Sequence, residues 1–219
     1  MASSAPSERA RVRRVPARAD YDRATIDAIL DEALVAHLGF AVEGQPYVIP
    51  TLHARSGDEV YIHGSAASRM VTMLGAGIPA CLTVTLIDGL VLARSAFHHS
   101  MNYRSVVVLG RARMVEGPEE REAALEAFTE RLVPGRWAEV RPPSRQELKG
   151  TRVLALSLQE SSAKLRTGGP VDDEEDYASD AWAGTVLLRL QPGAIEPDPL
   201  LRADVPVSPA VAAWVDGAA

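Results

Sequence analysis

From Gly39 onward, the sequence is built from short apolar runs with turn residues between them. Successive runs read GFAVE, PYVIPTLHAR and EVYIHG, and they meet at the turn-forming segments EGQ and SGDE. Runs of this length and spacing are typical of antiparallel strands that are joined by hairpins. Because strands and helices do not alternate along the chain, the pattern argues against a parallel sheet and favours a small antiparallel barrel.

Later segments extend the strand pattern. An Asp88-Gly89 pair predicts a hairpin turn that divides ACLTVTLIDGLVLARSAF into two strands. YRSVVVLGRARMVEG is predicted to form one strand, in which Gly110 would mark a bulge. TRVLALSLQESSAKLR is predicted to form another strand, apolar enough on both sides to be buried. With one more strand after Gly184, the sequence predicts at least six strands.

Three segments have helical rather than strand-like spacing. ATIDAILDEALVAHLG places apolar residues three and four positions apart, with Asp20 and Asp22 as caps and Gly39 as its end. A short helix is predicted from Met70 to Leu74, and a longer one over PEEREAALEAFTERLVPGRW. The sequence therefore predicts an α+β protein in which an antiparallel barrel carries flanking helices.

Composition divides the 219-residue chain into three parts. Residues 1–19 are rich in Ser, Ala, Pro and Arg, and we expect them to form a flexible arm. Residues 20–190 contain the periodic segments and form the predicted barrel domain. Residues 191–219 are expected to be a Pro-rich tail.

Charge and cysteine content exclude several classes of protein. A net charge of −6 leaves no broad basic surface for nucleic acid. The single cysteine, Cys81, excludes an intramolecular disulfide framework and suggests a reducing compartment. No run approaches the roughly 20 apolar residues of a membrane span, and the N-terminus lacks the apolar core of a signal peptide. We therefore expect a cytoplasmic protein that binds neither nucleic acid nor membrane.

The segment YIHGSAASRM passes from strand-like alternation into small residues and then into a helix. A helix N-terminus offers unpaired N–H groups and a positive partial charge. Ser65, Ser68 and Arg69 add hydroxyl and guanidinium donors of the kind that hold a phosphate. The alternative is an ordinary helix that is capped by a serine.

The order of these motifs resembles the pyridoxamine 5′-phosphate oxidase-like family of FMN-binding split barrels. PYVIPTLH, YIHGSAASRM, LARSAFHHSMNYRSVVVLGRA, a helix ending in VPGRW, and SSAKLR follow one another over roughly residues 12–190. The pattern is most similar to the branch that includes nitroimidazole-resistance proteins. The resemblance implies a six-stranded antiparallel split β-barrel with flanking helices, bound FMN, a small-molecule substrate, and a homodimer with the cofactor between the subunits.

The resemblance also implies which residues contact the cofactor. Ser68 and Arg69 would hold the flavin phosphate, with Ser65 beside them, although the lysine that follows in the family is Met70 here. The ring would lie along a strand segment and a dipeptide, namely Val48, Ile49, Pro50, Thr51, His63 and Gly64. Further donors would come from two later strands, partly across the subunit boundary: Arg104, Ser105, Lys164 and Arg166. The alternatives are that Arg104 forms a surface ion pair and that Lys164 and Arg166 are solvated cations. Ser105 stands where the oxidases proper have a glutamine.

His98 and His99 suggest a metal site, but adjacent residues of a strand point to opposite faces. No third histidine or cysteine lies at a ligand-like spacing, and we therefore predict no metal.

No constellation of side chains indicates a catalytic acid or nucleophile, so the catalytic residues stay unknown at this point. This agrees with an FMN-dependent oxidoreductase, in which the flavin carries the chemistry. One alternative is a haem-binding protein with His63, His98 or His99 as axial ligand. Another is a flavin-binding module without catalytic activity.

Overall fold

The computed structural model describes residues 4–217, so residues 1–3 of the predicted arm and residues 218–219 of the predicted tail lie outside the described residues. The strands in this range are β1 (Ala19–Asp20), β2 (Val35–Val42), β3 (Gln45–Leu52), β4 (Ala54–Ser56), β5 (Glu59–Ser65), β6 (Pro79–Leu92), β7 (Ser100–Arg111), β8 (Arg113–Met114), β9 (Thr151–Ser157), β10 (Ser161–Arg166) and β11 (Gly184–Leu187). The helices are α1 (Arg23–Glu32), α2 (Arg69–Gly75), α3 (Pro118–Leu132), α4 (Arg145–Gly150) and α5 (Pro209–Gly217).

The strands form two antiparallel sheets that share one core. The first sheet has seven strands in the order β1-β10-β7-β6-β2-β3, with β11 also paired to β6. The second has four strands in the order β4-β5-β9-β8. The longer strands point alternate apolar side chains into the space between the sheets, and α1 and α2 help to fill it. The buried residues there include Ile26, Leu30, Leu38, Ile62, Val71, Leu74, Leu82, Val106, Leu154 and Leu156. The predicted fold class, α+β with an antiparallel split barrel, is confirmed.

A smaller apolar cluster lies on the outer face of the four-stranded sheet. Tyr61, Val153 and Ala155 point away from the barrel and pack beneath α3 through Ala124 and Phe128. This arrangement explains why β9 is apolar on both faces. One face lines the barrel and the other lies under a helix.

The first helix is shorter than the sequence indicated. It ends at Glu32, and Val35–Val42 forms β2 instead of continuing the helix to Gly39. Ala36, Leu38 and Phe40 are buried at every second position, and β2 pairs with β3 on one side and β6 on the other. The apolar residues after position 33 fit both a helical and a two-residue period, and pairing within the sheet selects the latter.

The predicted hairpin at Asp88-Gly89 is also wrong. The segment forms one strand of 14 residues, β6, with a register shift between Ile87 and Gly89 where it pairs with β7. The carboxylate of Asp88 accepts hydrogen bonds from Arg104. A Cβ at position 89 would lie 2.8 Å from the carbonyl oxygen of Val186, so glycine allows β11 to approach β6. A bulge, not a turn, therefore accounts for this pair.

Two further details of the strands differ from expectation. Gly110 pairs with Ala80 in regular register and marks no bulge, and its missing side chain leaves room for Leu156, whose Cδ1 would lie 2.9 Å from a Cβ. TRVLALSLQESSAKLR forms two strands in different sheets, because a short turn at Leu158–Glu160 carries the chain from β9 to β10. The strand expected after Gly184 is confirmed as β11.

The ends of the described chain pack on this barrel. Ala19 pairs with Lys164 of β10. The Ser208 hydroxyl, just before α5, and the Ala210 N–H, in its first turn, donate to the Glu139 carboxylate. No helix in residues 4–217 is both long and apolar enough to cross a membrane. The division into arm, barrel domain and tail stays a prediction.

Candidate cofactor site

The small residues of YIHGSAASRM form the junction between β5 and α2. Ser65 ends the strand, and Ser68 occupies the N-cap position before Arg69. The Ser68 N–H donates to the Ser65 carbonyl at 2.9 Å, and the Ala66 N–H donates to the Gly150 carbonyl at 2.9 Å. The Ser68 hydroxyl does not cap the helix. The structure thus does not support an ordinary serine cap, and this hydroxyl is free to meet a ligand.

Arg69 is the exposed cation of this junction. Its guanidinium lies 5.2 Å from the centre of the Tyr47 ring, a cation–π contact. It makes no ion pair with any carboxylate in the part of the chain that the structure describes. Tyr47 belongs to β3, so this contact brings the phosphate-type segment next to the predicted ring-binding strand. Sequence reasoning missed Tyr47, because nothing in the local pattern distinguishes it from a residue of the core.

The segment Val48–Thr51 lies at the edge of the seven-stranded sheet. β3 pairs only with β2, so its other edge leaves backbone N–H and C=O groups without a neighbouring strand within the described residues. Val48 is 66% exposed on the outer face, whereas Ile49 packs against the core. The exposed side chain and the free backbone edge suit a flat, hydrogen-bonding ring.

His63 and Gly64 lie on opposite faces of β5. The His63 ring packs edge-on against Phe128 of α3, with 4.4 Å between the ring centres. A Cβ at Gly64 would lie 3.0 Å from Val71 on α2, so glycine allows this close packing. Burial lowers the pKa of His63, and its Nδ1 is buried without a hydrogen-bond partner among the described residues. His63 is therefore neutral near pH 7 and faces α3.

Arg104 is held by two carboxylates. Its Nη2 donates to Glu32 and to Asp88, in each case at 2.7 Å. The same contacts lower the pKa of Glu32 and raise that of Arg104. The guanidinium connects the end of α1 to the bulge of β6, so most of its donors are already used.

Ser105 and Lys164 face each other across β7 and β10 on the outer side of the sheet. They are paired in register, and the Ser105 hydroxyl donates to the Lys164 carbonyl at 3.2 Å. Three strand spacings of about 4.8 Å separate β7 from β3 in the sheet order, or about 14 Å. One protomer therefore does not gather all the predicted residues: Arg69 and β3 lie on one side, and Ser105 and Lys164 on the other.

Arg166 is a buried cation that forms no ion pair with a carboxylate in residues 4–217. It is 8% exposed, and its Nη1 donates to Asn102 Oδ1 at 2.5 Å while Nη2 donates to the Gly169 carbonyl at 3.3 Å. Nε is buried with no partner in residues 4–217. Burial, with Arg18 nearby, lowers the pKa of Arg166. A bound anion would stabilise a buried guanidinium that lacks a counter-charge.

The two adjacent histidines have separate partners. His98 Nε2 lies 3.3 Å from the Asp173 carboxylate. One nitrogen of His98 and one carboxylate oxygen each of Asp173 and Asp176 all lie within 4.8 Å of one another. His99 is exposed, and its Nδ1–H donates to the Ser95 carbonyl at 2.9 Å. Sequence reasoning missed the aspartates because they lie some 75 residues further along the chain. The prediction of no metal stays untested.

The two antiparallel sheets around one core define a split-barrel protein. Residues 22–165 match the family model described as pyridoxamine 5′-phosphate oxidase, which is more than half of the chain. The chain therefore belongs to this family, and the resemblance stated from the sequence is confirmed. No curated protein matches it significantly.

Two solved structures are similar to this chain over almost its whole length, and a third shares its fold. The chain is 44% identical to the flavocytochrome Anf3 from Azotobacter vinelandii, over 97% of this chain and 99% of that one, with a TM-score of 0.91. It is 37% identical to the FAD and heme binding protein from Mycobacterium smegmatis, over 90% and 97%, with a TM-score of 0.86. A candidate 5-nitroimidazole antibiotic resistance protein from Bacteroides thetaiotaomicron, at 22% identity over 67% and 85% and a TM-score of 0.57, shares the fold.

Proposed function

We propose that this chain is a flavocytochrome-type oxidoreductase that binds a flavin and a haem and acts on a small molecule. The observation that carries the proposal is the 44% identity with a flavocytochrome over nearly the whole of both chains. That likeness extends beyond residues 22–165, and so it includes the segments outside the family match. The proposal thus combines the predicted flavin with the haem alternative.

The residues present fit a phosphorylated flavin. The Ser68 hydroxyl, which does not cap α2, and the Arg69 guanidinium, which forms no ion pair in residues 4–217, suit a phosphate. The edge of β3 that has no neighbouring strand in this range suits the ring. A flavin would supply electron or hydride transfer, and the protein would supply orientation and electrostatics. In this arrangement Arg69 binds the phosphate group, and β3 and Tyr47 orient the ring and exclude water.

Histidines and Arg166 fit a haem. A haem would be held by an imidazole nitrogen that has no other partner, and His99 would offer Nε2, because its Nδ1–H donates to the Ser95 carbonyl. His37 of β2 is exposed on the outer face of the sheet and makes no side-chain hydrogen bond within residues 4–217. Sequence reasoning missed it by placing it in a helix. Arg166 would bind a carboxylate, such as a propionate of the haem.

A homodimer would complete the site. On one sheet, β3 lies about 14 Å from β7, which carries Ser105, and about 19 Å from β10, which carries Lys164. Arg69 contacts β3 through Tyr47, and a second copy facing this sheet would bring Lys164 of one protomer toward Arg69 of its partner. Val35, Val48 and Ile87 expose apolar side chains on the outer side of this sheet, as an interface of this kind requires. A location in the cytoplasm stays a prediction.

The absorption spectrum of the purified protein tests the proposal. We expect flavin bands together with a Soret band. Of the two variants His37→Ala and His99→Ala, the one that removes the haem ligand should abolish the Soret band and leave the flavin bands. A flavin spectrum without haem would reduce the proposal to a flavoprotein. Absence of both cofactors after reconstitution would overturn it. Bound flavin without turnover of any reductant would favour the non-catalytic module.

Replacing Arg69 by Gln tests the phosphate contact. We expect FMN to bind about 10- to 100-fold more weakly, the usual range for losing one charge-assisted hydrogen bond, while riboflavin binding changes by less than about 2-fold. Titration of the apoprotein by flavin fluorescence measures both. Riboflavin lacks the phosphate and therefore serves as the control. Equal losses for the two flavins would place Arg69 elsewhere.

A further inference from the structure

A cationic cleft lies between α3, α4 and β9. It has a volume of about 390 Å³ and is lined by Arg121, Arg145, Leu148, Lys149 and Arg152. Four of the five lining residues are positive, in a chain whose net charge is −6. The cleft thus carries four positive charges on a protein whose net charge is negative.

The four cations of the cleft have no acidic partners. None of them forms an ion pair in residues 4–217, although neighbouring Arg141 is paired with Glu147. Arg152 donates only to backbone carbonyls, at 3.1 Å for Lys149. Arg121 Nε is buried and has no hydrogen-bond partner among the described residues. Like charges held together without counter-charges repel one another, and an anion with two or more charges would relieve that repulsion.

α4 presents two of these cations on one face. Arg145 and Lys149 are four residues apart, with Leu148 beside them, so the three side chains project toward the same side. The helix is fixed by a capping box, in which the Glu147 N–H donates to the Ser144 hydroxyl and the Ser144 N–H donates to the Glu147 carboxylate. The helix that carries these cations is therefore fixed before any ligand arrives.

The cleft adjoins the phosphate-type junction. Arg152 pairs with Gly64 and Thr151 with Ser65 in the register of β5 and β9. Gly150, the last residue of α4, accepts the hydrogen bond from the Ala66 N–H at 2.9 Å. A ligand whose first phosphate contacts Ser68 and Arg69 would therefore meet the cleft with its next phosphate.

We propose that this cleft binds the diphosphate of an adenine nucleotide. Arginine and lysine match phosphate oxygens, the guanidinium planes can stack on a purine, and Leu148 gives the cleft an apolar floor. The diphosphate belongs either to FAD or to a free nucleotide. The first alternative rests on the proposed flavin function. In the first case the cleft selects FAD over FMN.

The double variant Arg145→Gln/Lys149→Gln tests the proposal, because neither side chain makes a hydrogen bond that the fold needs among the described residues. Apoprotein is titrated with FAD, FMN and ADP, at low and high salt. We expect the variant to bind FAD and ADP at least about 10-fold more weakly and FMN within about 2-fold of the wild type. Arg189→Gln, an exposed arginine that follows β11 on the other sheet, serves as the charge control and should change none of the three.

The outcomes separate the two sources and the two proposals. Loss of ADP binding without any preference for FAD over FMN supports a free nucleotide. If FAD, FMN and ADP all bind the variant as they bind the wild type, the cleft is not a diphosphate site. If no flavin binds the wild type, the flavin function fails, and ADP titration still decides whether the cleft binds a nucleotide.

Discussion

Replacing Arg166 by Met is expected to weaken binding of one cofactor by about 10- to 100-fold while changing the unfolding free energy of the apoprotein by less than about 1 kcal/mol. The guanidinium is buried, has no carboxylate partner and keeps one nitrogen without a hydrogen bond in the described chain. A desolvated charge costs free energy in the apoprotein, and its removal offsets the lost bonds to Asn102 and Gly169.

Urea unfolding of the apoprotein and separate titrations with haem and flavin measure the two effects of Arg166→Met. The cofactor whose affinity falls is the one whose carboxylate or phosphate Arg166 receives. Asn102→Ala is the matched control, because it removes the neutral partner of the same bond and leaves the charge. If Arg166→Met destabilises the apoprotein and leaves both affinities unchanged, the prediction is wrong, and Arg166 only stabilises the segment at Gly168 and Gly169.

His53→Ala should lower the unfolding free energy by about 3 kcal/mol, the sum of a cavity and a lost buried hydrogen bond. His53 is 1% exposed between β3 and β4, and its Nε2–H donates to the Leu30 carbonyl at 2.9 Å. That carbonyl belongs to α1, so the bond joins the helix to the crossing between the two sheets. His53→Gln keeps a donor and should lose less.

His53 should also make stability depend on pH. Burial lowers its pKa in the folded state from the ordinary value of 6.5. Below about pH 6.5 the unfolded chain therefore binds a proton that the folded chain does not, and stability falls as the pH drops. Urea unfolding between pH 8 and pH 5 measures this loss, which should be smaller in both His53 variants. Equal pH dependence in the wild type and His53→Gln would contradict the assignment.

The fold was largely predictable because its signals are local and repeated. Strand-length runs with turn residues, and the order of motifs up to SSAKLR, identify the antiparallel barrel and the family. His37 was placed in a helix because a two-residue and a helical period overlap there, and only pairing with Pro50 and Thr83 decides between them. Asp88-Gly89 has the composition of a turn, and the distant Arg104 and β11 make it a bulge.

The candidate site was predictable only in part. Ser68 and Arg69 stand next to each other in a recognisable segment, whereas Tyr47 reaches Arg69 from another strand. The burial of Arg166 and the convergence of Arg121 with Lys149 depend on packing between elements that are far apart in the chain. A sequence shows that these cations exist, and only the tertiary structure shows which of them lack a counter-charge.

The distance between β3 and β7 on one sheet has a consequence for a dimer that shares its cofactor. If each half of the site comes from a different protomer, every contact with the cofactor also holds the two protomers together. Cofactor retention would then depend on protein concentration, since dilution that separates the protomers would release the cofactor. Conversely, a cell that is short of cofactor would contain more of the dissociated form.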